Sequence, residues 1–283
     1  MWPANSPIVS PDWLEERLLE PGLVVLEVSR YEADEAVYFQ GHIPGARYVF
    51  WKDFCWDDTD REFPDSAEMA RRLGALGVGD DTTLVLVGDS IQFATYPYWV
   101  LTMAGVADDV KVLDGGHQTW ELQRRPMTTE LPDPPVTAVR SAGSEDHSSR
   151  IGRDEVLAGL VDPDRVLVDM RSDEEYSGER VSPLSMDFDY GAERKGRIPG
   201  AVHVYYERLI DDAGLFKPPD QIQAQFVAEG VDLSGDIVTY CRLSHRASLG
   251  WLLLTAVVGL HNVRVYDGSW TEWGSIVGMP IER

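Results

Sequence analysis

Short apolar runs recur along the chain, each bounded by turn residues and followed by a longer stretch of helical periodicity. Val24 to Val28, Leu84 to Val87, Val166 to Met170 and Ile237 to Tyr240 all have the length and branching of buried strands. Strands alternating with helices predict the α/β class, a parallel sheet flanked by helices. In such sheets ligands gather outside the carboxyl ends of the strands, which directs attention to the loop after Tyr240.

The pattern occurs twice. Val24 to Val28 has its counterpart in Val166 to Met170, and the turn G-H-I-P-G-A (Gly41 to Ala46) is echoed by G-R-I-P-G-A (Gly196 to Ala201). Leu84 to Val87 matches Ile237 to Tyr240, each leading through a loop to an apolar helix that contains Trp99 or Trp251. Asp114 and Asp267 then open L-D-G-G and Y-D-G-S, with Trp120 and Trp273 six residues after them. Four landmarks in one order indicate a duplicated fold. The stretch between the copies is rich in proline, small residues and charge, as an extended linker would be. We therefore expect a first domain over 1–130, a linker over 131–149 and a second domain over 150–283.

Composition narrows the function. The formal charge of −23 opposes binding to nucleic acid and to anionic membranes. No apolar run approaches the roughly 18–20 residues that cross a bilayer, and the N-terminus has no basic leader, so a soluble cytoplasmic protein is expected. Two cysteines, Cys55 and Cys241, can build neither a disulfide framework nor a four-cysteine zinc site. Cysteine chemistry here is single-site, and no metal or organic cofactor is called for.

Cys241 opens the loop Cys241-Arg242-Leu243-Ser244-His245-Arg246, ahead of a helix expected to start near Ala247. Backbone N–H groups of a tight loop converge at a helix N-terminus, where the helix dipole adds positive potential. A thiolate held there beside Arg242 and Arg246 is a nucleophile. Isolated cysteines are more often small buried hydrophobes, but two arginines, a serine and a histidine do not make an apolar pocket. The first half offers Asp89-Ser90-Ile91-Gln92-Phe93-Ala94 at the matching place, without thiol or base, and is read as catalytically silent with Asp89 at the nucleophile position. Cys55 lies among aromatics and carboxylates in W-K-D-F-C-W-D-D and is read as structural.

These residues carry a resemblance to the tandem-domain rhodaneses, spanning almost the whole chain. Tyr38-x-x-x-His42-Ile43-Pro44-Gly45-Ala46 resembles the family's N-terminal signature, and Val263-x-x-Tyr266-Asp267-Gly268-Ser269-Trp270-x-Glu272-Trp273 its C-terminal one. The loop C-R-L-S-H-R-A-S is similar to C-R-I-G-E-R-S-S of bacterial thiosulfate sulfurtransferases, whereas the mercaptopyruvate enzymes resemble C-G-S-G-V-T. The resemblance implies two rhodanese-like domains and a Cys241 persulfide that moves sulfane sulfur from thiosulfate to cyanide or a thiol. It implies donor contacts from Arg242, Leu243, Ser244, His245 and Arg246, with Asp169 and Arg171 supporting the loop. Two positions depart from that pattern. Ser244 stands where the related loops have glycine, which points to a backbone angle that serine adopts at a cost, and His245 stands where they have glutamate. Glu175 replaces a substrate-binding arginine of some animal enzymes, so that contact is not carried over.

Three alternatives remain open at this stage. A 3-mercaptopyruvate sulfurtransferase would share the mechanism but not the donor. A cysteine phosphatase of related fold has five residues between cysteine and arginine, against four here, a ring sized for one sulfur. A silent binding module would perform no reaction. A monomer is expected, with small-molecule donors and acceptors and a thioredoxin-like protein as a possible acceptor.

Overall fold

The computed structural model describes residues 2–3, 6–59, 61–106, 109–134, 136–138, 144–183 and 192–283. The chain divides into two compact units, one of Asn5–His147 with Asp212–Leu215, the other of Met1–Ala4, Ser148–Asp211 and Phe216–Arg283. Parts of the expected linker, 135 and 139–143, lie outside the described residues. Its Thr137 is tied by its N–H to the Gly74 carbonyl at 3.0 Å.

The first unit holds a parallel sheet of β1 (Ile8–Val9), β2 (Leu23–Ser29), β3 (Arg47–Phe50), β4 (Thr83–Gly88) and β5 (Val110–Leu113) in the order β1-β5-β4-β2-β3. Its helices are α1 (Pro11–Glu15), α2 (Trp51–Cys55), α3 (Ser66–Ala75), α4 (Gln92–Ala104) and α5 (Gly116–Leu122). The second unit repeats the arrangement with β6 (Arg150–Ile151), β7 (Arg165–Asp169), β8 (Val202–His203), β9 (Asp236–Tyr240) and β10 (Val263–Tyr266), ordered β6-β10-β9-β7-β8. Its helices are α6 (Arg153–Ala158), α7 (Asp173–Ser177), α8 (Pro219–Ala228), α9 (His245–Leu252) and α10 (Ser269–Trp273). The two sheets thus share one topology, and every strand pair is parallel. All four predicted strands are present, and α9 begins two residues earlier than expected.

Continuous apolar runs suit central strands, because helices cover both faces of such a sheet. Leu84 to Val87 are fully buried, as are Ile237, Val238 and Tyr240. The repeated turns are built alike. The Ala46 N–H reaches the Ile43 carbonyl at 2.9 Å and the Ala201 N–H reaches Ile198 at 3.1 Å. Gly45 at φ 78° and Gly200 at φ 75° take the third position, where only glycine is unstrained, after a proline that presets the second. Among the described residues no helix is long and apolar enough to cross a membrane.

The sheet register refines the match between the halves. Leu84 pairs with Val110 as Ile237 pairs with Val263, and Val110 and Val263 stand equally far before the repeated aspartates. Gly88 therefore occupies the place of Cys241, and Asp89 that of Arg242. The expectation that Asp89 takes the nucleophile's position is displaced by one residue. Its cause is the tryptophan landmark: Trp99 is one step deeper in α4 than Trp251 is in α9.

Candidate active site

Cys241 follows the last residue of β9, the central strand, so the sheet presents it at the carboxyl edge where strand-to-helix loops meet. The segment after β10 grips its backbone. The Cys241 N–H donates to Ser269 Oγ at 3.2 Å, and the Cys241 carbonyl accepts from the Trp270 N–H at 2.9 Å. The Arg242 carbonyl accepts from the Thr271 N–H at 3.1 Å. Ser269 Oγ in turn donates to the Tyr266 carbonyl at 2.9 Å. The Y-D-G-S-W stretch is thus the holder of the loop, which explains why it is a long motif far from the cysteine in sequence.

Ser244 sits at φ 69°, ψ −11°, the left-handed conformation that the sequence comparison anticipated. Such a residue carries strain of order 1–3 kcal/mol unless its surroundings compensate. Here its hydroxyl donates to the Asp267 carbonyl at 2.7 Å and is fully buried. Glycine could adopt the angle but could not make this bond. The first turn of α9 then closes with the Ser248 N–H on the Ser244 carbonyl at 2.7 Å. Within the loop Cys241, Ser244, His245 and Arg246 are buried, whereas Arg242 and Leu243 are half-exposed and form its open side.

Arg246 is engaged inside the protein. Its Nη1 and Nη2 donate to Glu175 Oε2 and Oε1 at 2.6 and 2.9 Å, a bidentate pair in which Glu175 is fully buried. Burial opposes the arginine's charge, but Glu175 foremost, with Cys241 also near enough to act, holds it protonated. Burial likewise pushes the Glu175 carboxyl up, and Arg246 more than reverses this, leaving it below the usual carboxylate range. Glu175 has a second task as the third residue of α7. It closes a capping box with Ser172, whose N–H lies 3.1 Å from its Oε2. The partnership was missed in the sequence, although the S-x-x-E spacing of Ser172 and Glu175 marks the helix start.

Asp169 and Arg171 face each other with no solvent exposure, Arg171 Nη2 lying 2.6 Å from Asp169 Oδ2 and Nε 2.9 Å from Oδ1. Arg171 also donates to the Gly196 carbonyl at 2.8 Å and stacks over Trp270, 4.5 Å from the ring centroid. Trp270 is the residue whose N–H grips Cys241. The pair thus braces the loop through Trp270 and is sealed from any ligand. Cys55, the last residue of α2, is fully buried and belongs to the other unit.

Comparison with known proteins agrees with this architecture. The rhodanese-like domain family model matches residues 10–123 and again 153–276. The sulfur carrier protein TtuD of Thermus thermophilus is 38% identical over 283 residues, covering 98% of this chain and 96% of its own. A Saccharopolyspora erythraea protein provisionally named a thiosulfate sulfurtransferase is 38% identical over 277 residues, with the same coverage of 98% and 96%. Among solved structures, the Escherichia coli 3-mercaptopyruvate sulfotransferase SseA superposes with a TM-score of 0.76 at 24% identity, over 94% of this chain and 99% of that one, and shares the fold. Two matched domains, one repeated sheet topology and full-length relatives place the chain in the rhodanese-like sulfurtransferase family, as two tandem rhodanese-like domains.

Proposed function

We propose that the protein is a thiosulfate sulfurtransferase of the cytoplasm whose Cys241 carries sulfur as a persulfide. The observation that carries this reading is the position of Cys241 at the end of the central strand, gripped by Ser269 and Trp270 and in electrostatic contact with a buried arginine. The Cys241 thiolate attacks the outer sulfur of thiosulfate. The S–S bond of the donor breaks, its electron pair leaves with sulfite, and Cys241 becomes a persulfide. Cyanide or a thiol then attacks the terminal sulfur and restores the thiolate, giving thiocyanate or a new persulfide. Arg242, on the open side of the loop, meets the sulfonate, while loop N–H groups at the start of α9 stabilise the terminal sulfur. Leu243 and His245 shape the approach, and Arg246 adds positive charge near the thiolate.

No metal or organic cofactor takes part in these steps. The first domain, over 1–130, is silent, since its loop has neither thiol nor base. The name of the relative TtuD, a sulfur carrier protein, supports delivery to a protein acceptor as well as to small thiols. The chain acts as a monomer.

The test is the intact mass of reduced protein after exposure to thiosulfate and removal of small molecules. Wild type gains about 32 Da, one sulfur, and loses it to cyanide, whereas Cys241→Ser gains nothing. A gain with mercaptopyruvate alone replaces the donor and keeps the mechanism; no gain with either donor ends the sulfurtransferase reading.

A further inference from the structure

The first domain carries an exposed aromatic face that the chemistry of Cys241 does not use. The short 3-10 helix Val37–Phe39 turns its middle residue inward, where the Tyr38 hydroxyl donates to the Ala46 carbonyl at 2.7 Å, and so leaves Val37 and Phe39 exposed. Tyr48 of the edge strand β3 lies against Phe39, with ring centroids 5.2 Å apart. Its hydroxyl donates at 2.8 Å to the carbonyl of Tyr31, whose side chain is also exposed. Rings that hold one another in this way lose little side-chain freedom when a partner covers them. Grouped exposed apolar side chains mark interaction surfaces.

Carboxylates surround these rings. Glu32, Asp34 and Glu35 are exposed in the turn between Tyr31 and Val37. Burial pushes the Tyr48 phenol up, and Asp53, Glu32, Asp34 and Asp89 carry it to about 12, so the field over the rings is negative. The nearby cations are already engaged, Arg30 by Asp89 and Ser90, Arg47 by the Leu76 carbonyl and Lys52 over Trp51 and Trp56. A second copy of the chain would set carboxylate against carboxylate across a two-fold axis, and an anionic membrane would be repelled. We propose that this face of the first domain docks a basic segment of a partner protein, with arginine or lysine side chains on Glu32, Asp34 and Asp53 and an apolar side chain against Phe39 and Tyr48. Guanidinium groups suit both parts of the face, since they pair with carboxylates and stack on aromatic rings. Arg30, 5.2 Å from the centroid of the Tyr31 ring, makes the second kind of contact within the chain itself. The face does not involve Cys241, and the proposal stands apart from the sulfurtransferase reading.

The experiment titrates the full chain into a fluorescein-labelled decapeptide of four arginines, four serines and two leucines, read by anisotropy at about 50 mM salt. Because the chain as a whole is acidic, the deciding comparison is between two double variants of equal charge. Glu32→Gln with Asp34→Asn raises the Kd about fivefold or more, whereas Asp162→Asn with Asp164→Asn, an exposed pair beside the exposed Val161 of the second domain, raises it less than about twofold. Phe39→Ser, which leaves the charge unchanged, weakens binding by about threefold or more. The four altered carboxylates are all on exposed side chains, so the charge comparison decides even should Phe39→Ser not fold. Equal losses in the two double variants would mean that the peptide reads net charge alone, and would overturn the proposal. Absence of peptide binding by wild type would overturn it as well. Concentration-dependent dimerisation of wild type that Phe39→Ser abolishes would assign the face to a second copy of the chain instead.

Discussion

The loops that follow β4 and β9 hang from the same frame and are built differently. In the second domain Cys241 has its N–H on Ser269 Oγ, and Ser244 holds the far side of the turn to Asp267. In the first, Gly88 takes the place of Cys241, and no side chain fits there. A Cβ on Gly88 would lie 2.2 Å from the Ser90 carbonyl oxygen and 2.8 Å from the Ala94 nitrogen. Gly116 stands where Ser269 does, and its Cβ would come within 2.6 Å of the Gly88 carbonyl oxygen. Asp89 faces inward to the Arg30 and Ser90 N–H groups at 2.9 and 2.7 Å. The comparison teaches that the first loop differs from the second by a closure of backbone space, which goes deeper than the replacement of one residue.

The largest expected effect follows directly. Asp89→Cys supplies a thiol to the first loop of a protein whose Cys241 has been changed to serine, and it gains no sulfur from thiosulfate by intact mass. The backbone closes on the places of Gly88 and Gly116, and Arg30 is already engaged by Asp89 and Ser90. Loading of that thiol would break the comparison.

A buried ion pair lies behind each loop, and the two pairs differ in chemistry. The first domain uses Glu27 and His117, with Nδ1 2.8 Å from Oε2, and the Ile43 N–H on Glu27 Oε1 at 2.7 Å. The second uses Asp169 and Arg171, and there the Ile198 N–H goes to the Tyr240 hydroxyl at 3.2 Å. Burial disfavours the His117 charge, but Glu27 outweighs it and raises the pKa above the ordinary histidine value. A raised folded pKa adds stability that is complete below the unfolded value and is lost as pH rises through the folded one. Stability of the first domain therefore declines from about pH 6.5 upward, and His117→Asn removes that slope. Arg171 keeps its charge throughout, so the second pair contributes no such slope. Asp169→Asn leaves a buried guanidinium unpaired and costs about 3–5 kcal/mol in urea unfolding. Equal pH slopes in the two domains would remove this distinction.

Much of this was legible beforehand. Strand and turn positions follow from apolar runs and from proline–glycine pairs, which act locally, so the four strands and both I-P-G-A turns could be read from sequence. The left-handed angle of Ser244 was legible because the related loops have glycine there. Two things were not. Gly88 and Asp89 differ by one step of register, and register depends on hydrogen bonding between strands distant in sequence. The Arg246–Glu175 pair joins residues on separate elements, and sequence treats Arg246 as a donor-facing cation because it shows charge without its partner. Asp169 and Arg171, by contrast, are near neighbours, and their support of the loop was implied by the family resemblance of the stretch that holds them both.

The smallest effect tests how the second loop stays open. Ser244 combines an unfavourable left-handed backbone with a buried hydroxyl bond to Asp267. Ser244→Ala keeps the strain and leaves the carbonyl without that donor, costing about 1–2 kcal/mol. Ser244→Gly loses the same bond but relieves the angle, offset in turn by about 0.5–1 kcal/mol of extra unfolded-state freedom, so it lies closer to wild type than the alanine variant does. The ranking, measured by urea unfolding, separates backbone angle from side-chain grip. Equal costs for the two variants would show that the strain relieved only matches glycine's about 0.5–1 kcal/mol of unfolded-state freedom, and a larger cost for glycine that the strain is smaller than this.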